Sequence, residues 1–552
     1  MIMSVFESRL KTAVTVIVAL AISGGAAAQV TSGHAAPSTF RIAGTVIAKP
    51  GGNALALTRV ILRNTKDPKD VQSYLTGDDG RFEFRVPAGK YSLHGARRGF
   101  VSSDYNQHEQ YSSAIVTGAG IDTENLRLQL LPWAALSGRV LDESGDPVRH
   151  ADVILWREDH ATGVSRTAQY ERDTTDDQGA YEFTPLDAGT YFLSVSATPW
   201  YAVHPVTSAP EGVSVAPAVV DRGLDVVYPT TFYAGATESD DATPMLIRGG
   251  DRLEIDVRLT PVPSLHIIFR EQADAGNGYP SPLLQKRVFE QLEMSRGGEA
   301  VQPISAGVFE IATAPGKYAV RLASPTQASR ISEVDISQDG QEVDTSSGEA
   351  LSNIVGTVHI VGEEGLPREV FVVLREKQHV VAYGRVNSTG EVELKNVAAG
   401  NYEVLAGSQN VSYAVVKVAT EGQMGSGHTL KVAPGTSLAV TLTLASGSGR
   451  VEGFAKLGGK GVAGAMVVLV PNHPEANIEL FRRDQSDLDG SFVLQGVIPG
   501  TYTVIAIADG WDLDWSRAGV LAKYAGHGQT VMVPGSGSHA VQLTEAVEVQ
   551  GK

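Results

Sequence analysis

The sequence contains no cysteine among its 552 residues. Without cysteine there can be no disulfide framework, no thiolate metal site and no lipid-modified cysteine near the N-terminus. Any domains must therefore be stabilised by their own apolar cores. The apolar content of 42% is enough to build several such cores in a chain of this length.

Basic residues are scarce relative to acidic ones. The chain has 45 Lys and Arg against 62 Asp and Glu, which gives a formal net charge of −17. Nucleic acids and anionic membrane surfaces are bound by clustered Lys and Arg, so neither is expected as a partner. Hydrolase motifs are missing too: there is no Gly-x-Ser-x-Gly string and no His-Glu-x-x-His string.

Long apolar runs are limited to the N-terminus. Arg9 and Lys11 precede the run TAVTVIVALAI, which small residues ending in AAAQ follow. This order predicts a signal peptide over residues 1–28, cleaved after Ala28, with an uncleaved anchor as the alternative. No other stretch approaches the roughly 18 apolar residues of a span. We expect an exported chain, periplasmic, outer-surface or extracellular, without a membrane span after cleavage.

A short Gly-x-Tyr string occurs five times, in VPAGKYSL, LDAGTYFL, TAPGKYAV, VAAGNYEV and VIPGTYTV. The successive tyrosines lie 100, 127, 84 and 100 residues apart. A spacing of this size is a domain period, because solenoid repeats are roughly 20 to 50 residues long. After a linker over residues 29–39, we predict five domains over residues 40–132, 133–262, 263–350, 351–446 and 447–552, the third of them divergent.

Each unit shows the pattern of short strands. Four of the five open on an apolar strand with an embedded glycine, at Gly44, Gly138, Gly356 and Gly453. Asp-rich turns such as TGDDGRFEF then separate alternating runs, which is a strong hairpin signal. The sequence predicts an all-β chain, a tandem array of about five small antiparallel Greek-key β-sandwiches. Short helical candidates occur only near Leu283 to Glu293 and near Trp515 to Tyr524.

The Gly-x-Tyr strings fall at the same point in the strand order of every unit. A tyrosine that enters a strand at a corner can bury its ring and hydrogen-bond its hydroxyl to nearby backbone. We therefore assign these residues a structural role rather than a ligand-binding one. They are Gly89 with Tyr91, Gly189 with Tyr191, Gly316 with Tyr318, Gly400 with Tyr402, and Gly500 with Tyr502.

Taken together, the G-x-V strand, the A-x-V-x-L strand, the T-D-x-x-G-x-F-x-F turn and the P-x-G-x-Y corner resemble the carboxypeptidase regulatory-like domain. This is a transthyretin-like (prealbumin-like) sandwich, close to the carbohydrate-binding-like fold and related to collagen-adhesin B-type repeats. The match is good in the first, second and fifth units, weaker in the fourth and poor in the third. The resemblance implies non-catalytic domains of multi-domain exported proteins, some of which bind glycans.

The sequence departs from these relatives in two respects. No histidine has a glutamate three residues later, so the zinc peptidase pair of the carboxypeptidases is missing. Relatives that form isopeptide bonds usually carry a glutamate soon after the corner tyrosine, and here only Glu403 follows one. Isopeptide cross-links are therefore not expected.

Two further patterns resemble ligand sites but have simpler explanations. Gly459, Gly461 and Gly464 match a dinucleotide-binding string, yet a β-branched run follows them where a helix is required, so a hairpin loop is favoured. The Asp pairs of the turns lack the spacing of a calcium loop and are interpreted as turn caps. We predict no metal and no cofactor.

The candidate carbohydrate-binding residues are aromatics in loops that leave the sandwiches. They are Trp200 and Tyr201, and Trp511 and Trp515 with the acceptors Asp512 and Asp514. Exposed rings could stack on sugar C–H groups, or the rings could instead cap the ends of the cores. If a helix formed from Trp515 to Tyr524, Ala518, Leu521 and Ala522 would pack on the sandwich end. Trp511 would then be the ring most free to face solvent.

Two functional hypotheses remain open. The first is a non-catalytic exported protein that binds carbohydrate or another cell-envelope ligand through sandwich loops, with glycans or envelope proteins as partners. The second is a structural spacer or adhesin-like scaffold without a small-molecule ligand. An enzyme of unrecognised type is a third, disfavoured hypothesis because no catalytic constellation is recognisable.

Overall fold

The structure is a computed structural model that describes residues 39–118, 120–160, 163–205, 221–270, 281–289, 291–294, 301–323, 329–344, 348–361, 369–376, 379–408, 411, 413–420, 423–424, 427–535 and 540–552. The predicted signal peptide lies outside these residues. Two compact units are present, Met1–Pro132 with Ala168–Tyr170, and Trp133–Thr167 with Glu171–Lys552.

The chain is all-β, as the sequence predicts. Its described part contains one α-helix, α1 (Ala518–Ala525), and four single 3₁₀ turns, at Arg222–Leu224, Ser239–Asp241, Pro474–Ala476 and Ile478–Leu480. None of the helices in this described part is long and apolar enough to cross a membrane. The remaining elements within the described ranges are 46 short strands in small, mostly antiparallel sheets.

The first sandwich lies within the first compact unit. Its strands are β1 (Phe40–Ala48), β2 (Arg59–Asn64), β3 (Val71–Leu75), β4 (Arg81–Val86), β5 (Gly89–Ala96), β6 (Ser103–Asp104), β7 (Ile115–Thr117) and β8 (Leu126–Leu130). One sheet has the order β4-β1-β8, and the other β3-β2-β5-β6 with β7 also on β5. Both sheets contribute buried side chains, such as Val46 from β1 and Leu62 from β2.

The second sandwich comprises β9 (Ala134–Leu141), β10 (Asp152–Asp159), β11 (Arg166–Thr174), β12 (Ala180–Leu186), β13 (Gly189–Ser196), β14 (Val226–Val227), β15 (Thr231–Phe232), β16 (Met245–Ile247), β17 (Arg252–Glu254), β18 (Val257–Arg258) and β19 (Val262–Pro263). Its two main sheets have the orders β12-β9-β17 and β11-β10-β13-β15. Their inner faces share one apolar core that includes Leu136, Leu155 and Tyr191.

The third sandwich comprises β20 (Leu265–Arg270), β21 (Ser281–Val288), β22 (Gln291–Met294), β23 (Gln302–Ser305), β24 (Val308–Thr313), β25 (Gly316–Ala323), β26 (Arg330–Ile336), β27 (Glu342–Val343) and β28 (Glu349–Ala350). The helix predicted near Leu283 to Glu293 is wrong, since β21 and β22 occupy this stretch. Leu284, Lys286 and Val288 are buried in alternation, which is the period of a strand, and Leu284 and Lys286 pair with β25. The adjacent leucines Leu283 and Leu284 hid this period in the sequence.

The fourth sandwich comprises β29 (Ser352–Ile360), β30 (Phe371–Glu376), β31 (His379–Arg385), β32 (Glu391–Val397), β33 (Gly400–Gly407), β34 (Tyr413–Thr420), β35 (Gln423–Met424), β36 (Thr429–Val432) and β37 (Ser437–Ser446). The fifth comprises β38 (Gly449–Leu457), β39 (Lys460–Gly461), β40 (Met466–Pro471), β41 (Arg482–Gln485), β42 (Ser491–Val497), β43 (Gly500–Ile507), β44 (Gln529–Val533), β45 (Ala540–Gln542) and β46 (Val547–Gln550). Each has its own apolar core.

The opening strand of every sandwich pairs in parallel with a late strand, a feature that the sequence did not indicate. The parallel pairs are β1 with β8, β9 with β17, β20 with β27, β29 with β37 and β38 with β45. This pairing explains two of the embedded glycines. A Cβ at Gly44 would lie 2.2 Å from the carbonyl oxygen of Leu126, and one at Gly138 would lie 1.7 Å from that of Ile255.

The corner tyrosines make the same hydrogen bond in all five sandwiches. Each hydroxyl donates to the carbonyl oxygen four residues earlier, at 2.7 to 3.2 Å: Tyr91 to Pro87, Tyr191 to Asp187, Tyr318 to Ala314, Tyr402 to Ala398 and Tyr502 to Ile498. The five residues are at most 3% exposed. Burial raises the pKa of Tyr402 and of Tyr502 to about 12, so these hydroxyls remain donors at neutral pH.

The glycine two residues before each tyrosine is covered by the tyrosine ring. A Cβ would lie 2.9 Å from the Tyr402 ring if it were added at Gly400, and 3.3 Å from the Tyr502 ring if added at Gly500. Of the five corner glycines, only Gly316 has a positive φ, of 150°. Close approach of the ring, rather than backbone handedness, is therefore the reason for glycine at Gly500.

A buried polar cluster joins the second and third sandwiches. His266 of β20 is 2% exposed. Its Nε2 lies 2.7 Å from Asp225 Oδ2 and its Nδ1 lies 2.6 Å from Glu310 Oε1. Asp225 also contacts His204, with 3.2 Å between Oδ1 and Nδ1, while Asp339 accepts the backbone N–H of His266. Burial alone would lower the pKa of His266, but the hydrogen bonds from the two carboxylates outweigh it and raise the pKa to about 9.

We expect Tyr502→Phe to weaken the fifth sandwich by about 0.5 to 1.5 kcal/mol, because it removes one buried hydrogen bond and keeps the ring. Amide hydrogen exchange in β43 and β44 measures this as a loss of protection. Tyr383→Phe is the control, since Tyr383 is 63% exposed on β31. Equal protection in both variants and the wild type would show that the hydroxyl contributes nothing.

The stability contributed by His266 should decrease with rising pH. Its folded pKa is above the unfolded value of about 6.5, so the contribution is complete below pH 6.5 and is lost as pH rises through about 9. The shift corresponds to about 3 kcal/mol. Denaturant unfolding between pH 6 and pH 10 measures it, with His266→Gln as the comparison. If the two proteins showed the same pH dependence over this range, the cluster would not be the cause.

Candidate functional site

Trp515 belongs to an apolar cluster rather than to an exposed platform. Only 8% of the residue is exposed. Its ring meets that of Phe481 edge-on at 5.6 Å, and the Arg483 guanidinium lies 4.3 Å from its centroid. The rest of the cluster comprises Met466, Val468, Ile505, Ile507, Leu521 and Tyr524. Trp515 therefore covers the outer face of the sheet formed by β40 and β43.

Trp511 is half-buried, and its indole nitrogen donates to the carbonyl oxygen of Gly464 at 3.1 Å. The expectation that Trp511 would be the ring most free to face solvent is not met. The cause is visible in β40 and β43, whose runs MVVLV and VIAI are apolar on both faces. Such strands need cover on both sides, and the loop after β43 supplies it on the outer side.

Helix α1 follows this loop and completes the cover. It begins at Ala518, three residues later than predicted. Leu521 is buried as expected, but Ala522 is exposed and Tyr524 packs instead. The side chain of Ala518 lies outside the described part of the chain. The helix thus contacts the sheet through one leucine and one tyrosine.

The second sandwich docks on this loop. The backbone N–H of Ser516 donates to the carbonyl oxygen of Gly163 at 3.1 Å, and that of Ser165 donates to Asp514 Oδ1 at 3.2 Å. His160 Nδ1 lies 3.7 Å from the same carboxylate oxygen. Gly163 has a φ of 81°, and a Cβ there would lie 2.6 Å from the Ser516 Cβ. The close contact therefore requires glycine.

The two loop aspartates also have protein partners. Asp512 pairs with the Lys552 ammonium, and the hydrogen bond from that ammonium lowers the pKa of Asp512. Asp514 accepts the Ser165 N–H on one oxygen and pairs with Arg517 on the other, at 3.2 Å. Both carboxylates thus contact protein groups in the places where sugar hydroxyls were expected.

Trp200 is the exposed member of the candidate set, at 86%. Its ring meets that of Tyr201 edge-on, with 5.7 Å between centroids. The Tyr201 hydroxyl donates to Glu143 Oε1, and the Tyr228 hydroxyl donates to Glu143 Oε2 at 2.8 Å. Burial and the hydrogen bond to Glu143 raise the pKa of Tyr201 to about 12. Trp200 is therefore a solvent-facing ring beside an anchored tyrosine.

The sequence did not indicate which residues contact the loop around Trp515, or which residues anchor Tyr201 beside Trp200. Gly163 and Ser165 lie about 350 residues from the loop they contact, and no local motif marks them. Glu143 and Tyr228 likewise carry no motif. The one available signal was the lack of alternation in β40 and β43, which indicates a sheet covered on both faces.

The turn aspartates cap their own hairpins. Asp79 Oδ1 accepts the N–H of Arg81 at 3.1 Å, and Asp176 Oδ1 accepts that of Gln178 at 2.8 Å. Across the described ranges, no group of three or more His, Asp or Glu side chains is placed to hold a metal ion. The glycine string at Gly459–Gly464 lies in a hairpin, with β39 paired to β38.

Several solved structures are similar to this chain at low identity. They include the Bacillus anthracis TIE protein (12% identity, TM-score 0.17, covering 75% of each chain). A streptococcal ancillary pilin has 12% identity and a TM-score of 0.19, covering 55% of this chain and 98% of its own. The minor pilin of Streptococcus agalactiae has 14% identity and a TM-score of 0.18, covering 40% and 97%. TM-scores this low support no inference about function.

No curated protein matches the chain. A family model does match, and it covers the opening strand, the Asp-rich turn and the Gly-x-Tyr corner of the second sandwich. The resemblance predicted from the motifs is thereby confirmed for this part of the chain: residues 135–219 match the carboxypeptidase regulatory-like domain.

Proposed function

We propose that this chain is a non-catalytic exported scaffold in which the second to fifth sandwiches act as one mechanical unit. The observation that carries the proposal is the contact between the Gly163–Ser165 segment and the Trp511–Arg517 loop. In that loop the rings of Trp511 and Trp515 pack on their own sheet, while Asp514 and the Ser516 backbone bond the second sandwich. Export is supported by the signal peptide that the sequence predicts.

The junctions along the chain support the same proposal. Between the second and third sandwiches, the Phe289 ring lies 5.4 Å from that of Trp156, and Lys286 Nζ lies 3.0 Å from Glu238 Oε1. The third contacts the fourth through Arg321, which donates to the carbonyl oxygen of Asn396 at 3.4 Å.

His428 and Glu479 join the fourth and fifth sandwiches, with 3.7 Å between Nδ1 and Oε1. The contact of the fifth with the second then adds a junction between sandwiches far apart in sequence. Domains that move independently on flexible linkers would not keep such a contact, because holding two loops together costs conformational entropy.

The non-catalytic part of the proposal rests on the chemistry of the described side chains. The family match of residues 135–219 is to a regulatory-like domain rather than to the peptidase. The chain also lacks the hydrolase motifs and the zinc peptidase pair. A scaffold accounts for these features together with the buried aromatic loop.

A cysteine pair can test the long-range contact, because the chain has no cysteine of its own. We expect Ser165→Cys with Asp514→Cys to oxidise to an intramolecular disulfide, since the Ser165 N–H donates to Asp514 and the neighbouring backbone bond from Ser516 to Gly163, which neither substitution removes, keeps the two segments together. A shift on non-reducing electrophoresis of the full chain measures this.

The control pairs Asp514→Cys with Asp177→Cys. Asp177 lies in the hairpin turn after β11, and a nine-residue strand separates it from Ser165 by roughly 30 Å. This pair should stay reduced under the same oxidant. Equal oxidation of the two pairs would contradict a defined contact between the second and fifth sandwiches.

Ligand binding at Trp200 is a second candidate function, favoured by the 86% exposure of that ring beside the anchored Tyr201. Stacking of one sugar on one ring contributes a few kcal/mol at most, so we expect affinities of about micromolar to millimolar. The test is calorimetric titration with a polysaccharide selected on a glycan array.

In that titration, Trp200→Ala should lower the affinity at least about tenfold, which corresponds to about 1.4 kcal/mol. Tyr383→Ala removes another exposed ring, on β31 of the fourth sandwich, and should leave the affinity unchanged. If no polysaccharide binds, or if Trp200→Ala binds like the wild type, this candidate function is excluded and the scaffold proposal is unaffected.

A further inference from the structure

The first sandwich contains a pocket that neither functional hypothesis uses. Its volume is about 270 Å³, and it is lined by Ile61, Arg63, Ser92, His94 and Asp104. Strands β2, β5 and β6 supply all five residues. In β5 the alternate residues Tyr91 and Leu93 point into the core, so Ser92 and His94 lie on the outer face of the sheet.

The strand register brings these side chains together. Arg63 of β2 is the partner of Ser92, and Ile61 is the partner of His94. On the other side of β5, His94 is the partner of Asp104. Directly opposed residues on one sheet face have their Cβ atoms about 4.5 to 5.5 Å apart. The five residues therefore form one continuous patch across three strands.

The patch contains one cationic and one anionic side chain, on different strands. Arg63 of β2 supplies the guanidinium. Asp104 Oδ1 lies 2.8 Å from His94 Nδ1, and because an ionised carboxylate only accepts hydrogen bonds, this contact holds the proton on Nδ1. The imidazole orientation is thereby set, and Nε2 is its remaining polar atom. Because Asp104 contacts His94 at one end of the patch, the Arg63 guanidinium at the other end is the group that can take an anion.

Serine, histidine and aspartate also occur together in hydrolases, but the geometry favours binding. Activation of a serine requires a hydrogen bond from its hydroxyl to the histidine. No such bond joins Ser92 to His94 among the contacts of the described residues. The backbone N–H groups of β5 are used in pairing with β2, β6 and β7, which leaves no evident oxyanion donors at this position.

The composition of the patch selects the class of anion. Arg63 can bind one carboxylate through two parallel hydrogen bonds. Asp104 repels a second negative charge and can accept hydrogen bonds from hydroxyl groups, as can Ser92. Ile61 offers an apolar surface to the C–H groups of a ring. A multiply charged phosphate would meet the repulsion of Asp104 and gain nothing from Ile61.

We propose that the pocket formed by Ile61, Arg63, Ser92, His94 and Asp104 binds a carboxylated sugar residue, with its carboxylate on Arg63 and its hydroxyl groups on the serine, histidine and aspartate. This site lies on the first sandwich and does not depend on the scaffold proposal or on Trp200. A ligand of this size in a shallow pocket binds with a Kd of about 1 mM.

Calorimetric titration of the full chain tests the proposal, with sodium D-glucuronate, D-glucose and inorganic phosphate as probes. Glucuronate should bind at least tenfold more tightly than either of the others. Arg63→Gln should weaken glucuronate binding at least tenfold. Arg81→Gln, which removes an exposed arginine from β4, should have no effect. Because Arg63 is exposed, both variants should keep the wild-type melting temperature.

Four outcomes would overturn the proposal. Failure of glucuronate to bind the wild type excludes the site. Equal binding of glucose shows that the carboxylate is not recognised. Equal weakening by Arg63→Gln and Arg81→Gln, or binding of phosphate as tight as that of glucuronate, reduces the site to general attraction between an anion and a basic surface.

Discussion

The same contact occurs at one corner of all five sandwiches. A tyrosine ring packs over the glycine two residues earlier, and its hydroxyl donates a hydrogen bond to the carbonyl oxygen four residues earlier. The contact buries an aromatic ring and satisfies a carbonyl at the point where the chain enters a central strand. In a chain without disulfides, such local contacts must define each sandwich. In the fifth sandwich, the corner holds the first residues of β43, the strand that pairs with both β40 and β44.

Strand β43, which follows the fifth corner, explains why the loop that contains Trp511 and Trp515 is packed against the sheet. Because β43 and its neighbour β40 are apolar on both faces, a second layer must cover the outer face. Trp511, Trp515 and helix α1 form that layer, and the second sandwich packs against its rim through Gly163 and Ser165. Residues that resemble a ligand platform in the sequence thus stabilise a contact between sandwiches.

Local patterns predicted most of the fold. Alternation, Asp-rich turns and the Gly-x-Tyr strings depend on neighbours in sequence, so the all-β architecture and the turn caps could be read directly. The parallel pairing of the opening and late strands could not be read from local patterns, since it joins residues far apart in sequence, such as Gly44 with Leu126 and Ile268 with Glu342. The stretch from Leu283 to Glu293 was wrongly predicted as a helix, because its adjacent leucines fit the periods of both a helix and a strand. The burial of Trp511 and Trp515 follows from the outer face of β40 and β43, whereas the contact of their loop with Gly163 and Ser165 joins residues about 350 apart and left no local signal.

In the proposed scaffold, the second and fifth sandwiches are held together by the Gly163–Ser165 segment and the Trp511–Arg517 loop. Amide hydrogen exchange of the full chain measures it at the two N–H groups involved, those of Ser165 and Ser516. The account predicts that peptides containing either residue are protected at least about tenfold relative to unstructured loops, and that Asp514→Ala removes the protection of Ser165, whose N–H it accepts. Exchange at unprotected rates in the wild type would contradict it.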